Sequence, residues 1–427
     1  MFLRDLWGWG FLSPEHVQYN PSMKSAFISL ILAVVAVAQP VPQSATVPVT
    51  LDHNRIIVDV YLPLPDGSQK RVRGWVDTGN ADLWLSERVA KLMALQPTPD
   101  SKETEILGAK VRPFEAPKEI IVGGLKISLA SVKEARMVSA DSIAPGSSAE
   151  VNLPSTLLRN CDLIIDYVDR ELTLAVPGQA KFTGRSAKAF VNPTNGMLQV
   201  SAKIEGKPYQ LTLDLGSSFS MLMGDVFDKF AIDNPKWPRN TGAVGPELFW
   251  GLQEEATQHA LRVPMIEYGP VKLSEVGFDT LPQSFASFYR QRAGADTSGL
   301  IGGNALLNYR VGIDYVHATV YFEERGSYVA PGIDVIGLTL RPELDGRYTV
   351  IGVPDYAGKP AVPEAKAGDL LVAIDKVPAK GSTMGQIWSL LGGDPGETRV
   401  LTLEREGKQF TVNATVRRFL PVSAGSR

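Results

Sequence analysis

The feature that most constrains this chain is a turn that occurs twice. The stretch "RVRGWVDTGNADLWLSE" (71–87) drives an apolar strand into Asp77-Thr78-Gly79 and then turns apolar again. The stretch "YQLTLDLGSSFSMLMGD" (209–225) does the same around Asp214-Leu215-Gly216. With Asp77 set on Asp214, Gly79 falls on Gly216, Leu85 on Leu222, Val89 on Val226 and Ala94 on Ala231. Farther on, Ile165-Asp166-Tyr167-Val168 recurs as Ile313-Asp314-Tyr315-Val316. The spacing from opening to closing aspartate is 89 residues in the first copy and 100 in the second, so the second copy carries a net insertion within 235–300. Two matched blocks in the same order mark an internal duplication. The flanking segments, "RIIVDVYLPL" before the turn "PDGS" and "MLQVSAKIEGKPYQLTLDLG", read as strand, turn, strand. Residues 45–185 and 186–328 are therefore expected to form two related, mostly β lobes that meet about a pseudo-two-fold axis.

After Gly326 the pattern changes. Residues 329–420 read as a third, small α+β unit with short strands, Gly/Pro turns and one helix over Met384–Leu391. The bulk numbers exclude several classes. The net charge is −3, which gives no basic surface for nucleic acid. Cys161 stands alone, so no intrachain disulfide can form. His16, His53, His259 and His317 are scattered without metal-ligand spacing, and neither a phosphate-binding glycine loop nor a dinucleotide fingerprint is present. No metal and no cofactor is expected.

The N-terminal region carries an address. From Met23, "MKSAFISLILAVVAVAQP" offers a positive start, an apolar core and the small-x-small pattern Ala36-Val37-Ala38. This reads as a secretory signal peptide over 23–38, too short to span a bilayer comfortably, with residues 1–22 an uncertain extension upstream of it. The expectation is a secreted or periplasmic protein with no stable membrane span after cleavage. Sequencing the mature N-terminus tests it, and a read that begins before Gln39 counts against it.

Two carboxylates brought face to face cannot both ionise cheaply, so they share a proton. The ionised partner can take a proton from a water held between them, and the protonated one can polarise a substrate carbonyl. Glycine two residues after each aspartate lets the backbone turn tightly and presents an N–H to the carboxylate. These residues resemble the aspartic proteases in the two-lobed arrangement of pepsin, with lobes as short as those of the single-lobe retroviral type. Asp77-Thr78-Gly79 with "DLWLS" carries the resemblance in the first lobe. Asp214-Leu215-Gly216-Ser217-Ser218 and Leu300-Ile301-Gly302 carry it in the second. The resemblance implies hydrolysis of polypeptide substrates by an Asp77/Asp214 dyad, with Thr78, Gly79, Gly216 and Ser217 in support. Ser217 is expected to bond the outer oxygen of Asp214.

There are departures from that pattern. In the family the residue after each aspartate usually has a hydroxyl that bonds to the other lobe; Thr78 has one and Leu215 does not. The first lobe has Asn152-Leu153-Pro154 where the second has Leu300-Ile301-Gly302. No tyrosine lies between Asp77 and Asp166 to act as a flap, which leaves Gly108 or "PELFWG" (246–251) to cover the site. Asp166 and Asp314 read as turn caps, Asp296-Thr297-Ser298-Gly299 as loop, and Trp75 and Trp84 as core. The alternative reading is a catalytically inactive peptide-binding or scaffold protein that keeps the fold. The third unit resembles a PDZ domain of bacterial periplasmic proteases, on Ile336-Gly337-Leu338-Thr339-Leu340, on Ala365-Lys366-Ala367-Gly368-Asp369 and on "GGDPGE". That resemblance implies a groove for a peptide or C-terminal tail, with Ile336, Gly337 and Leu338 around its carboxylate.

Overall fold

Alternating apolar residues with Gly-rich turns build antiparallel ladders wherever the turn chemistry permits, and the chain is mostly β. The computed structural model describes residues 42–99, 101–106, 109–139, 143–242, 253–294, 296–326 and 333–422. The signal segment 23–38, Gly108 and Pro246–Gly251 lie outside them. All described residues belong to one unit, Val41–Arg427. None of its helices is long and apolar enough to cross a membrane.

In the first half, strands Arg55–Pro63 and Gln69–Asp77 form the hairpin read from "PDGS", with Ile56 opposite Val76. Asp66 holds the turn by accepting from Ser68 N–H at 2.9 Å. Strand Leu83–Ser86 leads into α1 (Glu87–Leu92), whose first turn is capped by the Ser86 hydroxyl, 3.1 Å from Val89 N. Strand Val151–Pro154 runs parallel beside Gln69–Asp77 and ends on the short α2 (Ser155–Leu158). The second half repeats the plan. Strand Lys207–Leu213 is followed by Ser220–Leu222 and α3 (Gly224–Asp233). Strand Thr297–Ile301 lies parallel to Lys207–Leu213. Thr297 to Gly299 thus belong to a strand rather than the expected loop, because Gln210 and Leu211 need hydrogen-bond partners on that side. The insertion contributes α4 (Gln283–Ala293).

Beneath both halves runs a shared six-stranded sheet. It takes Ser44–Pro48, Asp162–Asp166 and Glu171–Ala175 from the first half, then Tyr309–Asp314, Thr319–Glu324 and the connecting strand Arg185–Lys188. At its centre Leu163 pairs with Ile313 and Ile165 with Val311. In the repeat register Ile165 matches Ile313 and Leu163 matches Val311, so the pairing is self-reciprocal, as a two-fold axis through Ile164 and Gly312 requires. One continuous apolar core, from Ala45 to Phe322, fills the space above this sheet in both halves.

The C-terminal unit has its own core, including Leu340, Val350, Ile374, Ile387, Leu401 and Leu403. Its strands run Thr339–Pro342, Tyr348–Gly352, Leu370–Ile374, Thr398–Arg405 and Lys408–Thr415 across one sheet. Helix α5 forms over Met384–Leu391 with a full capping box from Thr383 and Gln386. The first half also anchors that helix end. Asp52 accepts from the Thr383 hydroxyl and from Gly385 N at 3.1 Å, and it pairs with Arg55 at 3.0 Å.

Candidate active site

Asp77 is the last residue of its strand and Asp214 follows directly on its own. Each turn is backed by a parallel neighbour. Leu153 and Pro154 lie beside Val76 and Asp77. Ile301 lies beside Leu213, and its carbonyl accepts Asp214 N–H at 3.0 Å. The degenerate Asn152-Leu153-Pro154 therefore occupies the same place as Leu300-Ile301-Gly302. The Asn152 side chain ties the turn, accepting from Trp84 N–H and donating to Asp82 O at 2.9 Å. In the second half Gly302 N donates instead to the Ser220 hydroxyl at 3.0 Å.

The two turns press into each other. A Cβ on Gly79 would overlap the Asp214 carboxylate, and one on Gly216 would overlap the Asp77 carboxylate. Only glycine permits that approach. The buried Thr78 hydroxyl donates to Leu213 O at 2.9 Å and accepts from Leu215 N at 2.9 Å. Leu215 cannot return this bond. The return crossing is made by Trp75, whose indole N–H donates to Gly216 O at 3.2 Å. Trp75 and Trp84, read from sequence as core, both line the space around the carboxylates.

Asp77 and Asp214 are 3% and 5% exposed, which removes most of the hydration that would favour two negative charges. Burial first, and then the facing charge of Asp214, holds the Asp77 carboxyl well above the usual carboxylate range, against the pull of Gly79 N–H and the nearby Asn80 and Asn152 amides. Burial pushes Asp214 up to about 6. Its shift is opposed by more backbone donors, since Gly216 N and Ser217 N both reach Asp214 Oδ1 at 3.0 Å, whereas, among the described residues, Asp77 Oδ1 has only Gly79 N, at 3.2 Å, from the backbone. The Ser217 contact comes from the backbone. Its hydroxyl donates to Phe219 O at 2.7 Å, so the contact between Ser217 and Asp214 is made by the main chain.

Above the dyad sits α4. Phe285, Phe288 and Tyr289 close the space over Asp77 and Asp214, leaving a cavity of about 30 Å³. Phe285 and Tyr289 pack with Met197, Met221, Met223 and Leu300, and burial of two such rings contributes about 4 kcal/mol to holding the helix down. The covers expected from sequence, near Gly108 or at 246–251, lie outside the described residues, and this helix was not among them. The signal was present: aromatic residues at 285, 288 and 289 have the i, i+3, i+4 spacing of a single helix face.

The other candidates lie elsewhere. Asp166 and Asp314 cap their turns, accepting from Val168 and Asp169 N–H at 3.1 and 3.0 Å and from His317 N–H at 2.9 Å. Ile336, Gly337 and Leu338 line no part of the dyad cavity. Ile336 and Leu338 are buried, and Gly337, at a φ of 77°, sits against the Phe419 ring.

No family model matches the chain, and no curated protein matches it. Among solved structures it is similar to the crystal structure of an aspartic proteinase from Irpex lacteus. The likeness has 13% identity and a TM-score of 0.41, and covers 66% of this chain and 98% of that one.

Proposed function

We propose that this chain is an aspartic endopeptidase that hydrolyses peptide bonds with a water activated by Asp77 and Asp214. The observation that carries the reading is the mutual packing of the two Asp-x-Gly turns, each glycine against the opposite carboxylate. In this mechanism the two acids share one proton. Asp214, with two backbone N–H donors, is the ionised member and takes the proton of the attacking water. Asp77 carries the shared proton and donates it to the scissile carbonyl oxygen, giving a tetrahedral diol; Asp214 then passes the water's proton to the nitrogen, the C–N bond breaks, and Asp77 takes a proton back from the diol as the acid and the amine leave. Thr78, Gly79, Gly216 and the Ser217 backbone keep the pair aligned.

The test is cleavage of a denatured protein, with and without a statine-type transition-state mimic, by wild type, Asp77→Asn and Asp214→Asn. Loss of cleavage in both variants and inhibition by the mimic are expected. Equal cleavage by wild type and both variants would exclude the dyad. One observation favours a second reading, a peptide-binding scaffold without cleavage: the 30 Å³ cavity under α4 has no room for a polypeptide unless the helix shifts. Wild type that never cleaves at any pH would support that reading.

The C-terminal unit is proposed as a PDZ-like module that docks peptide tails at Ile336-Gly337-Leu338. Binding there requires Phe419 to move off Gly337. Tail peptides should therefore bind Phe419→Ala more tightly than wild type, and equal or absent binding to both would remove this role. The proposed site of action is the periplasm or the exterior, on the signal segment at 23–38, with the mature N-terminus as its check.

A further inference from the structure

Resting on the proposed dyad, we infer that Tyr289 is its third member: a positioning residue whose phenolic hydroxyl, supplied from above by α4, donates into the cavity toward Asp214 and keeps that carboxylate the ionised one. Tyr289 is 2% exposed; its hydroxyl makes no well-aligned hydrogen bond among the described residues, and the groups within its reach are the Asp214 carboxylate, whose charge it stabilises, and the Thr212 hydroxyl. A buried hydroxyl left unpaired costs free energy, and a helix face that keeps one does so for a reason. Tyr289 lines the same cavity as Asp77 and Asp214, and its hydroxyl interacts with Asp214. The cavity, at about 30 Å³, exceeds the roughly 10–15 Å³ that one ordered water needs. A water there has acceptors in both carboxylates and a donor in the phenol. Tyr289 thus completes an asymmetry that the backbone begins: Asp214 already has two N–H donors on Oδ1 and Asp77 one.

The surroundings leave this role to Tyr289. Its electrostatic neighbours are Asp214 and Asp77, the hydroxyl of Thr212 and the phenol of Tyr268. Tyr167, which feels the charge of Asp214, is held far above the ordinary tyrosine range, mainly by its burial, and stays neutral. The cations of α4 are engaged outside the cavity, Arg290 by Asp225 at 2.7 Å and Arg292 by Asp82 at 2.8 Å. Among these side chains Tyr289 is the neutral donor that acts on Asp214.

The test reads the proton directly. Carboxyl-¹³C aspartate is incorporated, and the dyad is titrated by NMR in wild type and Tyr289→Phe, alongside cleavage of an unfolded substrate against pH. Removal of a donor to a carboxylate raises its pKa, so the lower macroscopic pKa of the pair should rise by about 1 unit. The acid limb of the cleavage profile should move up with it. The melting temperature of Tyr289→Phe should fall only where the pair is ionised, above about pH 6; a merely structural tyrosine would lower it equally at every pH. Tyr289→Met, which also lacks the phenol, should shift the titration in the same direction if the Phe variant fails to fold. Superimposable titrations, in an enzyme that needs both aspartates, overturn the role of Tyr289 and leave the protease reading standing. A shifted titration in a protein that never cleaves supports the proton placement and removes the protease reading.

Discussion

Thr78→Val isolates the one hydroxyl that ties the two halves at the dyad. The substitution keeps the shape of a fully buried side chain and removes a single oxygen. That oxygen serves two backbone groups, Leu213 O and Leu215 N, each at 2.9 Å. Both groups are left buried beside a methyl, and each unpaired group costs about 1–3 kcal/mol, so the expected loss is about 4 kcal/mol. Thr78→Ser keeps the oxygen and loses a methyl, for about 1 kcal/mol. Urea denaturation followed by fluorescence should rank wild type, Thr78→Ser, then Thr78→Val in falling stability. Trp75 and Trp84, beside the site, report on it. Amide exchange at Leu215 gives a local reading that does not depend on the whole chain unfolding in one step. Protection there should collapse in Thr78→Val and persist in Thr78→Ser. If the two variants are equally stable and equally protected, the hydroxyl does not hold the turns together and the account of the grip is wrong.

The dyad should make stability fall as pH rises. Both carboxyls have folded-state values raised above 3.8, so the folded chain binds more protons than the unfolded one; that stability is full below about 4 and is lost as pH passes through about 6. Asp214 alone should account for about 3 kcal/mol between pH 4 and 7.5, and Asp214→Asn should flatten the urea-midpoint profile over that window, a change whose absence would contradict the burial of the pair. Asp52→Ala removes the acceptor of α5 and strands the buried Arg55, for about 3–5 kcal/mol. Limited proteolysis should then cut first around 379–391, and an unchanged cleavage pattern would show that Asp52 does not anchor the C-terminal unit.

The duplication was legible because it is written in spacing: a strand that ends on Asp-x-Gly, repeated with its closing Ile-Asp-Tyr block, leaves few other ways to fold. The helix over Met384–Leu391 was legible because it has a capping box and an apolar face. The cover of the site was not. It comes from α4 inside the insertion, where the repeat offers no matching residues, and its aromatic face was not weighed as a helix. Trp75 reads as core because its ring is buried; only the fold shows that its indole N–H spans to Gly216. Pro154 breaks the apolar-apolar-Gly pattern, yet it sits at the end of its strand, where a missing N–H is tolerated. Sequence places Ser217 beside Asp214 but does not say that its backbone N–H, rather than its hydroxyl, makes the contact.

The shared lower sheet has a mechanical consequence. Its ladder crosses from one half to the other at Leu163–Ile313 and Ile165–Val311, and Arg185–Lys188 is stitched onto the far edge beside Thr319–Glu324. Swinging the halves apart like a hinged jaw would have to tear that ladder rather than flex a tether. The jaw is welded at its base, so room for the long guest that the proposed function requires has to come from a shift of α4.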